Sequence, residues 1–326
     1  MPGKIDWENQ IGRRLKLRDL HILMAVARHG SMSKAGQELC VSQPAVSAVI
    51  AELEQTIGVT LVNRSVRGVE LTVYGRELIE RARAAFDELK LGIRNIEFLA
   101  HPTVGEVRIG CSESIAAVLS PVIQLFSDNY PGISLHVNHS VSPSLDLQDL
   151  RDRRVDLCLA RLINPSTNGH DELDVEIIVD DSMVLTAGAH SKWAGVRHVD
   201  LADLVDEPWI LTPVGSRNHL ILEKAFHARG LRMPQPRVTT FSVPLRAGLL
   251  ASGRFITTFP GSVLSDYGRR FGLRALPVDI GCPAWPIAIV KLKDRTLPAV
   301  AQIFVDHARR QLASTDAAWA PSTVLA

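Results

Sequence analysis

The sequence has few of the features that mark secreted, metal-binding or membrane proteins. Its 326 residues include four cysteines, Cys40, Cys111, Cys158 and Cys282, which lie far apart without a Cys-x-x-Cys pair. This spacing argues against a disulfide framework or a zinc site. No apolar stretch reaches membrane-spanning length, and the N-terminal residues lack the apolar core of a secretory signal. We therefore expect a cytoplasmic protein that uses no metal or other cofactor and does not associate with a membrane.

The motifs of common enzyme chemistry are also missing. The chain has no Gly-x-Ser-x-Gly elbow, no glycine-rich phosphate loop and no His/Glu set at metal-ligand spacing. Its eleven histidines are scattered, and an isolated histidine usually lies at the surface or in packing. We therefore predict that the protein is not an enzyme.

Length and charge indicate several domains of different character. A chain of 326 residues, 46% of them hydrophobic, is too long for one ordinary core and predicts two or three folded domains. Residues 1–99 contain 14 basic and 12 acidic side chains, whereas the rest contains 22 and 23. This small asymmetry favours contact with nucleic acid in the N-terminal part, with phosphate contacts placed locally.

The segment between Ser33 and Ser47 carries the most specific pattern. A helix containing alanine ends near Cys40, and Ser42 can cap a second helix by accepting a hydrogen bond from its first turn. Pro44 suits that first turn because its missing N–H has no partner there. Short or amide side chains at the start of the second helix predict a helix-turn-helix with a major-groove reading helix. The alternative is an ordinary helical hairpin whose polar face is solvated.

The flanking sequence extends this motif to a domain over residues 17–71, after an N-terminal extension of residues 1–16. Apolar residues at helical spacing predict a first helix over 17–29, which Gly30 ends. The reading helix continues to Gly58, and we expect a two-stranded wing with strands at 59–62 and 69–71. The result is a three-helix bundle with a small β wing.

Residues 72–102 are predicted to form a linker helix and a hinge. Thr72 can cap the helix, and apolar or small residues recur every three or four positions at Leu78, Ala82, Ala85, Leu89, Gly92, Ile96 and Leu99. Such a stripe is typical of a seam for a partner helix, so we expect a homodimer. The alternative is a helix packed against its own domain.

Beyond the hinge, the alternation of elements predicts an α/β domain over residues 103–312. Strands and helices alternate as βαβαβ, which is typical of a parallel sheet. We expect lobe I to comprise residues 103–174 and 283–312, and lobe II residues 175–282, with a cleft between them. Residues 313–326 are expected to be a flexible tail.

These motifs together resemble one regulator family. Ser42-Gln43-Pro44-Ala45-Val46-Ser47, Leu71-Thr72-Val73-Tyr74-Gly75, Val155-Asp156-Leu157 and Pro208-Trp209-Ile210-Leu211 are similar to motifs of LysR-type transcriptional regulators. The resemblance implies a winged helix-turn-helix that binds double-stranded promoter DNA and an effector domain resembling a type 2 periplasmic binding protein. It also implies pairing through the linker helix, assembly as a homotetramer, a small-molecule effector between the lobes, and contact with RNA polymerase in an activator.

Seven residues are candidates for DNA contact. Gln43 can donate to and accept from an adenine edge, and Ser47 can reach a base or a phosphate. Pro44 can touch a thymine methyl, although its position in the helix explains it without DNA. The family often has a long basic or amide residue after Ser47, where this chain has Ala48-Val49, so affinity is expected to depend more on the wing. The full set is Lys34, Ser42, Gln43, Pro44, Ser47, Arg64 and Arg67.

Five residues are candidates for effector contact. Ser112 and Ser114 lie between a strand and a helix N-terminus, where free amides and hydroxyls favour an anion, although simple capping is the alternative. Arg161 follows a strand and can pair with a carboxylate, or form a salt bridge at the rim. Ser142 comes from the next loop of the same lobe, and Thr212 from the opposite lobe.

Two other functions fit part of the sequence. A transport-type solute-binding protein would account for residues 103–312 but not for the N-terminal domain or the missing signal. A repressor whose cleft is filled and needs no effector remains an open alternative.

Overall fold

A computed structural model describes residues 14–65, 68–140, 143–161, 171–281 and 285–313. Its internal contacts divide the chain into two compact units, with the division after Gly92. Within the described ranges, no helix combines the length and apolar character required to span a bilayer. Most of the predicted extension 1–16 and of the predicted tail 313–326 lies outside the described residues.

The first unit is a three-helix bundle with a wing, as predicted. Its elements are α1 (Leu17–His29), α2 (Met32–Glu38), α3 (Gln43–Ile57), β1 (Val62–Ser65), β2 (Gly68–Leu71) and the start of α4 (Val73–Ala100). Gly30 and Gly58 end α1 and α3 with φ of 58° and 81°, the left-handed region that glycine adopts without steric cost. Leu23, Val46 and Ile50 are fully buried between the helices.

The first wing strand differs from its prediction. It spans Val62–Ser65 rather than 59–62 and pairs antiparallel with β2. The reason is Glu54 in α3, whose Oε1 accepts hydrogen bonds from Leu61 N at 2.7 Å and Val62 N at 3.1 Å. Because the carboxylate takes the N–H of Leu61, this residue cannot donate a hydrogen bond to the neighbouring strand, and β1 begins at Val62.

Helix α4 begins as predicted and presents part of the predicted seam. Thr72 Oγ1 accepts from Gly75 N at 3.1 Å and so caps the helix. Leu78 packs on the core of the first unit and Ala82 is buried. These two residues of the predicted stripe therefore pack within the same chain and not against a partner helix. The other half is solvent-accessible, with exposures of 49% at Leu89, 66% at Ile96 and 78% at Leu99.

The first lobe of the second unit is built on a five-stranded sheet with the order β4-β3-β5-β12-β6. Its elements are β3 (Gly105–Ser112), α5 (Glu113–Asn129), β4 (Ile133–Ser140), α6 (Pro143–Arg151), β5 (Leu157–Arg161), β6 (Leu173–Val179), β12 (Ile287–Leu292) and α10 (Ala299–Ala313). Helices α5 and α10 bury Phe126 and Phe304 against it, and the two rings pack edge to face at 5.2 Å.

The second lobe is built on another five-stranded sheet, with the order β11-β7-β10-β8-β9. Its elements are β7 (Met183–Gly188), a 3-10 helix (Leu201–Leu204), β8 (Trp209–Leu211), α7 (Arg217–His227), β9 (Pro236–Thr239), α8 (Val243–Ala251), β10 (Ile256–Pro260), α9 (Gly261–Phe271) and β11 (Leu273–Ala275). Trp209 is fully buried, and its indole N–H donates to Leu204 O at 2.7 Å.

Three features of the lobes differ from the sequence expectation. Both sheets are mixed rather than purely parallel, because β12 runs antiparallel to β5 and β6, and β7 runs antiparallel to β10 and β11. Strand β6 belongs to the first sheet, although the prediction assigned residues from 175 onward to lobe II. Helix α9 was not predicted at all.

Candidate DNA-reading and effector-binding sites

The turn between α2 and α3 is unusually tight. Val41 N donates to Gly36 O at 2.9 Å, and a Cβ at Gly36 would lie 2.7 Å from Val41 O. Cys40 adopts φ of 54°, a left-handed conformation that few side chains favour. The turn therefore needs glycine at position 36 to hold α2 and α3 at a fixed angle.

The start of α3 presents the predicted reading residues to solvent. Ser42 Oγ accepts from Ala45 N at 3.4 Å, which confirms its role as N-cap, and Pro44 lies in the first turn. The side chains of Gln43 and Pro44 are exposed, as is Lys34 on α2. Gln43 is the first residue of α3 and precedes the buried Val46 and Ile50, so its side chain lies at the exposed end of the helix and not in the core.

The structure brings the wing and the reading helix together. Arg64 on β1 donates from Nη1 to Ser47 Oγ at 2.9 Å, so a candidate base-reading hydroxyl and a candidate phosphate-binding guanidinium are adjacent. Arg67, the other predicted wing contact, lies outside the described residues. Glu54 was missed by sequence reasoning, although it joins α3 to the wing through two backbone amides.

In the second unit, Ser112 and Ser114 lie together at the end of β3. Their hydroxyl oxygens are 3.3 Å apart, and Ser112 occupies the N-cap position of α5 without a side-chain capping bond. Both residues are partly accessible. The capping alternative therefore does not account for the hydroxyl of Ser112. Ser142 lies outside the described residues.

Hydrogen bonds extend from this point into the second lobe. Glu113 Oε2 accepts from Val243 N, the first residue of α8, at 3.1 Å. Ser242 N donates to Thr240 Oγ1 at 3.1 Å, and Thr240 N donates to Leu211 O at 3.0 Å. Helix α5 also packs on α9. The end of β3 and the end of β8, which precedes Thr212, thus belong to one inter-lobe region.

Thr212 and Arg161 are both buried and engaged within the protein. Thr212 is 5% exposed, and its Oγ1 accepts from Ser216 Oγ at 2.8 Å. Arg161 is 7% exposed; its Nη1 donates to Asp181 Oδ2 at 2.5 Å and its Nη2 to Ser262 Oγ at 2.7 Å. Burial lowers the pKa of Arg161, an effect that the charge of Asp181 opposes. Arg161 thus forms a buried ion pair rather than one at the rim.

Two further charged residues of the inter-lobe region were missed by the sequence analysis. Glu113 stands between the two predicted serines, and Arg246 is a single cation in the otherwise apolar helix α8. Arg246 is 2% exposed. The sequence signal that could have identified Arg246 is its position as the one charged residue among the apolar residues of a short helix. Among the described residues, no cluster of three or more His, Cys, Asp or Glu side chains is placed to bind a metal ion.

The fold and these sites together define a class of protein. A winged helix-turn-helix with an exposed reading helix, followed by a two-lobed α/β domain with a polar inter-lobe region, is the architecture of a DNA-binding regulator with a ligand-sensing domain. Two family models match the chain: "Bacterial regulatory helix-turn-helix protein, lysR family" over residues 17–76, and "LysR substrate binding domain" over residues 100–313.

Similar proteins agree with these matches. The regulator GbpR of Azospirillum brasilense is 29% identical over 87% of this chain and 83% of its own length. The RuBisCO operon transcriptional regulator of Allochromatium vinosum is 32% identical over 66% and 70%, respectively. The chain belongs to the LysR family of bacterial transcriptional regulators, whose members bind DNA and small-molecule effectors and are not enzymes.

Solved structures show the same fold. A full-length OxyR variant from Pseudomonas aeruginosa superposes with a TM-score of 0.64 at 19% identity, covering 90% of this chain and 95% of that one. Full-length CbnR in complex with its target DNA gives a TM-score of 0.60 at 21% identity, covering 91% and 99%. At these identities the likeness concerns the fold.

Proposed function

We propose that this LysR-type regulator reads its promoter site through the exposed start of α3, with Gln43 as the principal base-reading residue. The observation that carries the proposal is the capped first turn of α3, which holds Gln43 and Pro44 outward beside the Arg64–Ser47 pair. Ser42 and Lys34 lie where they can contact phosphates, and Arg67 is proposed to extend the grip of the wing. CbnR, whose fold this chain shares, is described in complex with its target DNA.

The test compares two exposed amides at opposite ends of α3. Gln43→Ala should relax sequence preference at one base step, because a bidentate amide–adenine pair discriminates by about 1–3 kcal/mol. Gln55→Ala is the matched control and should leave binding unchanged. The measurement is fluorescence anisotropy with the DNA upstream of the gene and with single-base variants of that site. Full operator preference in Gln43→Ala would contradict the assignment.

The protein is further proposed to pair through α4. Leu89, Ile93, Ile96 and Leu99 lie on one side of this 28-residue helix and are 49–78% exposed. Arg94 and Phe98, on the other side, belong to the second unit and contact other residues of that unit. An apolar stripe at this spacing is a seam for a second helix. Such a homodimer, and a tetramer built from two, would match a symmetric DNA site.

Substituting one seam residue tests the pairing. Ile96→Glu should shift the protein to a smaller assembly, because it places a carboxylate in the apolar seam. Lys90→Glu places a carboxylate at an exposed polar position outside the stripe and should leave the assembly unchanged. Light scattering coupled to size-exclusion chromatography measures the mass of each variant. Equal masses for the wild-type protein and Ile96→Glu would argue against the seam.

The second unit is proposed to bind a small effector between its lobes. Ser112, Ser114 and Thr212 are the proposed polar contacts, Ser142 is proposed to join them, and Arg161 is proposed to contribute its charge from the buried pair with Asp181. We place the regulator in the cytoplasm, with RNA polymerase as its partner where it activates transcription.

A further inference from the structure

Arg246 is a buried cation without a hydrogen-bonded carboxylate among the described residues. Its Nη1 donates to Thr258 O at 3.0 Å, and its guanidinium lies over the Phe259 ring at 4.4 Å. Its Nε is buried without a hydrogen-bond partner. A buried charge is usually paired, because leaving it unpaired is costly. Arg246 therefore has an unused donor suited to an anion.

Glu113, the acidic side chain whose charge acts on Arg246, is itself hydrogen-bonded to helix α8. Burial lowers the pKa of Arg246, an effect that the charge of Glu113 opposes. The Oε2 of Glu113 accepts a hydrogen bond from Val243 N, three residues before Arg246 on α8, at 3.1 Å. In the first turn of α8, Pro244 has no N–H, while Leu245 N and Arg246 N donate to the side chain and carbonyl of Ser242. The carboxylate of Glu113 thus accepts a hydrogen bond from Val243, whose N–H is the one in that turn without an acceptor in α8 or its cap. A ligand could bind this N–H in place of Glu113.

We propose that the effector of this regulator is a small carboxylate, which replaces Glu113 at the N-terminus of α8 and pairs with Arg246. Ser112 and Ser114 on α5 flank Glu113 in sequence, so their hydroxyls can donate to the same ligand from the first lobe. A carboxylate is favoured over a larger anion because a carboxylate already fills the position. This inference rests on the proposed effector site and specifies the chemistry of its ligand.

The test uses charge changes that act in opposite directions. Acetate, succinate and benzoate, each compared with its amide and with sodium chloride at equal ionic strength, are titrated into the full-length protein while its melting temperature is followed. At least one carboxylate should raise the melting temperature where its amide does not. Arg246→Met should weaken that apparent affinity about 10- to 100-fold. Glu113→Gln should strengthen it about 3- to 10-fold, because the competing charge is removed.

Two further variants keep the result interpretable. Arg254→Met is the matched control, because Arg254 also lies over an aromatic ring, that of Phe255, but is exposed; it should respond like the wild-type protein. Arg246→Lys retains the charge and should respond in part, even where Arg246→Met does not fold. Any one of three results overturns the inference. The first is that the carboxylates raise the melting temperature no more than their amides do, both in the wild-type protein and in Glu113→Gln. The second is that the Arg246 variants show the same rise as the wild-type protein, and the third is that inorganic phosphate is the one tested anion that raises the melting temperature.

Operator binding by the same variants separates this inference from the function it rests on. A neutral compound that alters operator binding would leave the effector site standing and overturn the carboxylate assignment. A carboxylate that binds through Arg246 without altering operator binding would support the assignment and contradict effector control.

Discussion

Replacing Asp156 by asparagine should lower the free energy of unfolding of the second unit far more than the removal of any exposed charge. Its carboxylate is completely buried and accepts a bidentate pair from Arg94 at 2.9 and 3.0 Å. Arg108 adds its backbone N–H at 2.9 Å and Nη2 at 2.7 Å, and Arg295 Nη2 lies at 3.3 Å. One carboxylate thus serves three guanidinium groups from α4, β3 and the segment after β12.

The magnitude follows from this geometry. Burial opposes ionisation of Asp156, but the hydrogen bonds from Arg94 and Arg108 outweigh it and lower the pKa from 3.8 to about 2. That difference corresponds to about 2 kcal/mol of stability. Asp156→Asn also removes the negative charge that Arg94, Arg108 and Arg295 share, and breaking a buried pair costs about 3–5 kcal/mol. We therefore expect a loss of about 3–5 kcal/mol in the free energy of unfolding at pH 7.

The assay is urea unfolding followed by tryptophan fluorescence. Trp209 and Trp285 are buried in the second unit, so their emission reports on that unit. Asp206→Asn is the matched control, because Asp206 pairs with Arg232 at an exposed site, where a salt bridge contributes about 1 kcal/mol or less.

The pH dependence gives a second readout of the same reasoning. Because the pKa of Asp156 is lower in the folded protein, its contribution is present above pH 3.8 and is lost as the pH falls through about 2. The difference in the free energy of unfolding between the wild-type protein and Asp156→Asn should therefore decrease as the pH falls over this range. A loss below about 1 kcal/mol at pH 7, the range of exposed pairs, or a gap that stays constant at low pH, would refute the argument.

Two predictions concern the DNA-binding unit. Gly36→Ala should lower its thermal stability and its DNA affinity, because the new Cβ would meet Val41 O at 2.7 Å; circular dichroism and anisotropy measure both, and an unchanged melting temperature would contradict the tight turn. Glu54→Ala should lower the free energy of unfolding by about 1–3 kcal/mol, because the N–H groups of Leu61 and Val62 lose their acceptor. Glu54→Gln keeps a carbonyl acceptor and should lower it by less. Equal losses in these two variants would show that charge rather than the hydrogen bonds matters.

Local signals predicted the first unit well. Helices α1 and α3 begin and end where their caps and glycines indicated, at Leu17–His29 and Gln43–Ile57, because capping is decided within a few residues. The register of β1 could not be predicted in the same way. It depends on Glu54, which lies seven residues before the first amide that it holds.

In the second unit, the missed features depend on contacts distant in sequence. Helix α9 contains Gly261 and Gly268, which disfavour a helix, but Asp181 accepts from Ser262 N at 3.3 Å and Val263 is fully buried. The partner of Arg161 is the same Asp181, 20 residues further along the chain. The sequence predicted that Ser112 and Ser114 lie at a strand–helix junction, whereas only the structure places Glu113 against α8.

The order of strands in the first sheet constrains how the chain can fold during synthesis. Strand β12 lies between β5 and β6, yet it is made more than a hundred residues after them. Until Ile287–Leu292 has left the ribosome, β5 and β6 each expose an unpaired edge, which is prone to association with other strands. The helix-turn-helix unit can therefore fold early, whereas the sensing domain stays incomplete until β12 has been made. A nascent or truncated chain would thus acquire the DNA-binding fold before the domain that controls it.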